Sequence, residues 1–555
     1  MKTIKTTIAT MLALPILGVA LSTLSSCTEA DSSLVEYEED YHLDSPNDTV
    51  YSVAGILGKM QALADRTVLL GELRGDLTVL TPEANTNLQA IANFDPTFGK
   101  NPYNQPKDYY AVIQNCNYFI AKADSLLAKR GEKVFSKEIA AVHSFRAWTY
   151  LQLALNYGEV PFFTEPILTE KDAYPSAHKS LGIEAICNYF IDDLKPYVDT
   201  KFPDYLTTQS FLPVRVLLGD LCLWAGHYSD AANYYHDYLN HRDSPRPLGV
   251  GSVTWTDFEF RGIIDSYTST TTSHLAAIVM AEDEYEGNVS ELEDIFNSTE
   301  KNNYYYQVTK SDYYLNLSKS QTYTMVYTDP VTELRDTITP PDTLFVKSDS
   351  YFGDLRLSQV YDLNTAGITN TTYNKYRQTF SKTLSGRVGL YRIAQIYLRY
   401  AEALNRAGFP ESAFAVLKYG LCNDNNAMYL SESERNRAGN LISFNPANFT
   451  RTNTQGLHAR GCGDVYADTL YAIPATCTTL QDSILFVEDK IIDETALEAA
   501  GEGLRYYDLM RIALRRNDPS YLAVRVAQRK DVRNPDYNLL NHLSTPSNWY
   551  LNLPQ

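Results

Sequence analysis

A chain of 555 residues, 44% of them hydrophobic, has ample material for a core and is too apolar to be disordered over most of its length. Its formal charge of −19, from 67 acidic against 48 basic residues, argues against nucleic acid as a partner, because phosphates would be repelled. The 42 tyrosines beside only 4 tryptophans supply apolar rings with polar tips, suited to wet binding surfaces and equally to the cores of helical repeats.

The first residues read as a secretory leader. Lys2 and Lys5 make a positive start, Ile8 to Leu21 is apolar, and Leu24-Ser25-Ser26-Cys27 follows at once, the pattern of a bacterial lipobox. The apolar run is short for a ~30 Å hydrocarbon core. Residues 1–26 are therefore expected to be a signal peptide and Cys27 an acylated anchor. Residues 27–50 form a tether, acidic from Glu29 to Asp40.

From residue 51 onward a single domain is expected. Gly71-Glu72-Leu73-Arg74-Gly75-Asp76 comes first and leads to a Pro/Asn-rich loop, Asn93 to Gln105, with Phe94, Phe98 and Tyr103. Glu72, Arg74 and Asp76 suit either a ligand-facing polar cluster or a local ion-pair and turn network. Amphipathic spacing predicts helices over Tyr109–Leu127 and Lys137–Tyr157, the second closed by Gly158, and a third from a Ser180 cap to about Val198.

Two segments match the tetratricopeptide pattern, within helical blocks at about 108–240 and 388–420. In Pro213–Leu239, Gly219 and Ala231 let two helices approach and Gly226 turns the chain between them. In Tyr391–Leu417, Ala401, Gly408 and Ala413 take the corresponding places. Isolated repeats cannot bury their faces, so these copies must stack in space.

Between the blocks, residues 242–382 change character to Tyr, Thr, Ser, Asp and Pro with short apolar alternations at Thr324–Tyr327 and Thr343–Val346. Irregular loops with a few short strands are expected, and their length points to function. Trp255, Tyr304, Tyr305, Tyr306, Tyr313 and Tyr314 lie here as candidate ligand platforms; for Trp255, a plug between loops and repeats is the competing reading. A second insertion, Cys422–Asp482, carries Gly456–Asp464 (GLHARGCGD); Cys462 and Cys477 within it could pair in an oxidising compartment, a geometry that spacing alone does not establish. Cys116, Cys187 and Cys222 read as small buried hydrophobes.

The last landmark is Glu498–Arg516. Leu497, Leu504, Tyr507 and Leu514 fall close to one helical face, and Glu502, Arg505, Asp508 and Arg511 follow one another at three-residue spacing. Gly501 and Gly503 interrupt the helix as a hinge.

Catalytic motifs are missing: there is no G-x-S-x-G, H-E-x-x-H, C-x-x-C or Walker A loop. A two-carboxylate glycosidase needs no local motif and stays open, as does structural calcium, for neither of which residues can be named. No cofactor is expected.

Glu494, Glu498, Glu502-Gly503, Arg505, Asp508-Leu509 and Arg511 stand as in the C-terminal signature (489–516) of the RagB/SusD-like outer-membrane lipoproteins. Arg146 to Leu151 and Tyr157 to Pro161 resemble that family's second helix and its exit turn. The resemblance implies a mainly α fold of tetratricopeptide-like pairs carrying an irregular ligand-binding half. It implies a non-enzymatic lid over a SusC-like TonB-dependent transporter, lipid-anchored at the outer membrane and facing the exterior. It implies an oligosaccharide or oligopeptide ligand, with Glu72, Arg74, Asp76 and Tyr103 on the ligand-facing or transporter-facing side. A tetratricopeptide scaffold binding other proteins is the third reading.

Overall fold

Close approach of backbones sets this architecture, and small residues permit it. The computed structural model describes residues 46–553 apart from 96–100, 205–206, 250–273, 281–287, 300, 304, 329–330, 334, 339–352, 364–377, 381 and 384–385. The expectations for Cys27, Phe98, Trp255, Tyr304 and Thr343–Val346 fall outside the described residues.

The chain opens with α1 (Pro46–Gln61), α2 (Ala64–Glu72), β1 (Thr78–Leu80) and α3 (Thr86–Ala92). The Asn85 side chain caps α3 by accepting from the Leu88 N–H at 3.0 Å. Next come α4 (Pro106–Lys122) and α5 (Ser136–Tyr157), the latter buried along almost its whole length and ended by Gly158 at φ 74°. α4 stops short of Leu127 because the Asp124 carboxylate accepts the N–H groups of Leu126 and Leu127, a local turn that competes with the helix. Ser180 is no cap: it pairs as a strand residue with Pro161, and the following helix α6 (Ile183–Leu194) starts after Gly182.

In the first repeat, α7 (Val214–Ala225) and α8 (Tyr228–Leu239) meet where a Cβ on Gly219 would lie 2.4 Å from the Tyr235 ring. That ring rests on bare helix backbone. Its hydroxyl donates to Asp220 at 2.6 Å, and the hydroxyl of Tyr391 donates to the other Asp220 oxygen at 2.8 Å. Gly226 ends α7 in the left-handed region at φ 82°.

The stretch between the repeats holds β2 (His274–Val279), β3 (Val308–Lys310), α9 (Asp312–Lys319), β4 (Met325–Thr328), β5 (Arg335–Ile338), β6 (Tyr361–Leu363), β7 (Gln378–Phe380) and, at the edge of the next block, β8 (Arg387–Arg392). Every sheet among the described residues has two strands. β1 pairs antiparallel with β3, putting Thr78 opposite Lys310, and β2 pairs with β8. These ribbons tie loops to the helical layer without building a sheet core. The fold class is thus mainly α with short strands, and the half expected to be irregular also contains helices, α9 among them.

The second repeat is α10 (Ile393–Arg406) and α11 (Pro410–Lys418), with Ala401 and Ala413 buried and Gly408 at φ 94° between them. α12 (Leu480–Ala499) starts in a Thr479/Asp482 capping box, and α13 (Arg505–Arg516) follows the glycine hinge before α14 (Ser520–Ala527). Gly501 and Gly503 stand at φ 80° and 78°. Of the apolar face read for this segment, Leu497 and Tyr507 are buried, whereas Leu514 near the end of α13 is 43% exposed.

Against α12 lies a largely buried ion network. Arg356 meets Asp354, Glu494 and Glu498 at 2.6, 2.6 and 3.0 Å; Arg392 meets Glu498 and Glu502 at 2.7 Å each; Lys382 meets Glu502 at 2.6 Å. The Gly456–Asp464 segment threads this network: His458 contacts Glu494, Arg460 contacts Glu498, and Gly461 packs where a Cβ would lie 2.1 Å from Asp354. Cys462 is not in a disulfide with Cys477; both are free, and the buried Cys462 thiol donates to Asp354. Cys116, Cys187 and Cys222 are buried.

Gly226→Val places a β-branched residue in the left-handed region and is expected to cost at least about 1 kcal/mol. Denaturant titration checks this; an unchanged midpoint would mean the α7–α8 turn is not held at positive φ.

Candidate functional site

The segment that the sequence singled out first, Gly71–Asp76, is built into the interior. A Cβ on Gly71 would lie 1.8 Å from the Gly503 carbonyl oxygen, so the two backbones touch. Glu72 accepts the Gly503 N–H at 2.9 Å. Asp76 receives a two-pronged bond from Arg505, at 2.6 and 2.8 Å. Arg74 donates to the Leu70 and Trp549 carbonyls, Asn156 and Tyr507, with its guanidinium 4.3 Å above the Tyr506 ring. All three side chains are fully buried. Of the two readings, the ion-pair and turn network is the one realised, and these residues offer no surface to a ligand.

What they support is a cleft immediately above them. Leu73 and β1 turn outward to face α3 and the chain just after α14, leaving a cavity of about 280 Å³ lined by Thr78, Thr81, Gln89, Asn93, Arg529 and Lys530 among others. Thr81 fixes the far wall: its N–H donates to the Gln307 carbonyl at 3.0 Å and its hydroxyl to the Tyr306 carbonyl at 2.7 Å. Tyr306, half-buried, is thus tied by its backbone to the Thr81 wall, and the half-exposed Tyr305 precedes it. Hydroxyl, amide and cationic groups gathered in one cleft suit a hydroxyl-rich ligand held by hydrogen bonds.

The other expected residues sit elsewhere. Tyr103 is buried and donates to Glu291 at 3.0 Å; burial, aided by the Glu291 charge, pushes its hydroxyl well above the usual phenol range. Tyr314 is fully buried on α9 and Tyr313 is half-buried beside it, so both serve packing. The helix that carries them was read as loop.

The SusD family model matches residues 225–555. The chain belongs to the SusD family. Solved structures agree: a SusD superfamily protein of Bacteroides thetaiotaomicron VPI-5482 has a TM-score of 0.56 at 14% identity, covering 84% of this chain and 89% of that one. A SusD-like carbohydrate binding protein of Bacteroides vulgatus ATCC 8482 has a TM-score of 0.53 at 17% identity, covering 85% and 84%. A SusD superfamily protein of the same B. vulgatus strain reaches 0.55 at 13% identity over 92% and 96%. These likenesses establish the fold. No curated protein matches the chain.

Two further features of this SusD-family chain escaped the sequence reading. A groove of about 790 Å³ runs between the start of α6, the α7–α8 turn and the final residues, with Trp224, Tyr228 and Tyr550 in its wall. One face of Trp224 and one of Tyr228 are covered from within, by Arg511 and Arg515 at 5.0 and 4.9 Å. On the second insertion, Tyr419 and Tyr429 stack at 3.9 Å, with Tyr466, 46% exposed, tilted against both. Their spacing of 10 and 37 residues follows no helical or strand period, so nothing local marked them as neighbours. Among the described residues, no cluster of His, Cys, Asp or Glu is arranged to hold a metal ion, and no helix is long and apolar enough to cross a membrane.

Beneath the cleft, Glu72 carries a testable charge. Burial raises its carboxyl to about 7, against the lowering effect of the Gly501 and Gly503 N–H groups and Lys382. A carboxyl raised in the folded state adds stability that is complete below the unfolded value of 4.5 and is lost as pH rises through about 7. The full span is on the order of 3 kcal/mol. Glu72→Gln should remove that decline, so the variant gains on the wild type as pH rises from about 4.5 to about 7 and keeps the gain above it. Urea midpoints across this range check it; parallel profiles would show that Glu72 is ionised throughout.

Proposed function

We propose that the protein is a lipid-anchored binding protein at the outer membrane that captures oligosaccharides and passes them, chemically unchanged, to a SusC-like TonB-dependent transporter. The observation that carries this reading is a SusD-family fold with a hydroxyl- and amide-lined cleft of about 280 Å³ between β1, α3 and the chain after α14, its Thr81 wall bonded to the Tyr305–Tyr306 segment of the irregular half. Structural neighbours include proteins described as carbohydrate binding or sugar binding, which favours a saccharide. Gly71–Asp76 and Gly456–Asp464 are occupied with internal contacts, so neither segment supports the oligopeptide alternative. The lipobox cysteine, Cys27, supplies the anchor.

Tyr305 and Trp255 are the rings assigned to the ligand. Each stacked ring contributes about 1 kcal/mol beyond its buried area. Tyr305→Ala and Trp255→Ala are therefore expected to weaken oligosaccharide binding roughly five- to thirtyfold with little change in melting temperature. Calorimetry against a polysaccharide panel tests this, with an assay for new reducing ends run in parallel. Binding without turnover supports the proposal; release of reducing ends would make the protein a glycosidase, and wild-type affinity in both variants would remove these rings from the site.

Cys27→Ala should leave the melting profile unchanged and move the protein from the membrane to the soluble fraction in cells lacking the transporter. Membrane retention of that variant would refute the anchor.

A further inference from the structure

Arg529, unlike the buried Arg74 and Arg505, lines the cleft. It is 3% exposed, yet no carboxylate lies within ion-pair distance among the described residues. Of its five N–H donors, three are directed at backbone carbonyls, those of Leu73, Gly75 and Ala92. Two remain. The carboxylates nearest in influence are committed elsewhere: Asp76 to Arg505, and Asp536 to the N–H groups of Asn538 and Leu539. Glu83 and Asp531, its neighbours along the cleft segments, are exposed and outside the lining.

Position gives this spare charge its meaning. Arg529 lines the 280 Å³ cavity, with Lys530 on the same wall and the polar groups of Thr78, Thr81, Gln89 and Asn93 around it. Burying a guanidinium without a counter-charge is costly, and the cost shows in its acidity: burial lowers Arg529 to about 10. A carboxylate or sulfate entering the cavity would meet two unused donors and a full positive charge in a poorly solvated place, where charge-assisted bonds are strong. The chain's overall −19 weighs little against this, because exposed charges beyond ~8 Å are largely screened at physiological ionic strength.

We infer that the cleft selects an anionic saccharide, with the carboxylate of a uronic acid or a sulfate ester seated on Arg529 and Lys530. This rests on the glycan-capture reading above and narrows it to an acidic substrate class. At about 280 Å³ the cavity lies just below the ~300–1,000 Å³ range of small-molecule sites, enough for one acidic sugar unit with the rest of the chain running out toward Tyr305.

Calorimetry with the full chain tests it, using a galacturonate oligomer, its methyl ester, a sulfated galactan oligomer and its desulfated form. An acidic oligomer should bind roughly tenfold or more tightly than its neutral counterpart, and the pair that shows this names carboxylate or sulfate. R529K keeps a charge but loses the planar fork and should weaken acidic binding about tenfold. K530Q, at an exposed position, should weaken it about two- to fivefold; it decides the matter together with the ester comparison if R529K does not fold. Equal affinity for acidic and neutral forms, neutral binding alone, or acidic binding unchanged in K530Q and in folded R529K would overturn the inference while leaving glycan capture standing. Binding of none of the saccharides, acidic or neutral, would count against both.

Discussion

Glu498 is the residue on which the rest of this structure depends. It sits fully buried on α12 and touches Arg356, Arg392 and Arg460, which come from three separate parts of the chain. Burial alone would raise its carboxyl; the three guanidinium groups outweigh burial and hold it well below the usual carboxylate range. Each buried ion costs several kcal/mol in lost hydration, and a single pair at short range returns about 4 kcal/mol at an effective dielectric of 20. One partner is therefore a poor bargain and several are needed. Glu494, four residues earlier on the same face, and Glu502, within the hinge, repeat the arrangement with Arg356, His458, Arg392 and Lys382. The effect is positional: α12 can be buried only if the segments around 356, 382, 392 and 460 all dock on it.

That constraint explains what the amino-acid order disclosed and what it concealed. The repeat blocks were legible because their logic is local. Gly219, Gly226 and Ala231 lie within a dozen residues of one another, and the turn and close approach they permit are properties of that stretch. The glycine hinge at 501–503 was legible for the same reason. The charges were not. Three-residue spacing suggested a ladder running along α13, yet only Asp508 and Arg511 pair that way; Arg505 reaches Asp76, and Arg511 and Arg515 converge on Glu402. Partners hundreds of residues apart leave no periodic trace. Resemblance identified the signature as a unit, and only the fold shows that its acidic and basic residues point to different elements.

Tyrosine illustrates a second limit. Tyr235 and Tyr391 are buried with their hydroxyls on the two oxygens of Asp220, which Arg399 also contacts. They join the first repeat to β8 and α10. Tyr305 turns its ring to solvent, and the exposed Tyr466 leans on the stacked Tyr419 and Tyr429. A phenol ring suits both uses, since its polar tip can be satisfied inside by one carboxylate or outside by water. Composition raised the question of a binding surface, and only burial separates the rings that hold the repeats together from those that face outward.

The same accounting, applied to arginine, distinguishes scaffold from site. Arg505, fully buried, has its charge matched by Asp76. Among the described residues Arg74 has no carboxylate partner, but four hydrogen bonds and the Tyr506 face enclose it. A buried guanidinium can thus be held without a counter-ion, provided its surroundings are closed. Among the described residues Arg529 is held by carbonyls alone, and it lines a cavity. Lack of a carboxylate would not mark it out, and neither would the cavity taken singly. Their coincidence does, since together they put unspent charge at a place a ligand can reach. The ion network below makes that coincidence durable: with Gly71 against Gly503 and Asp76 on Arg505, the floor under Arg529 cannot shift to supply the missing partner from within.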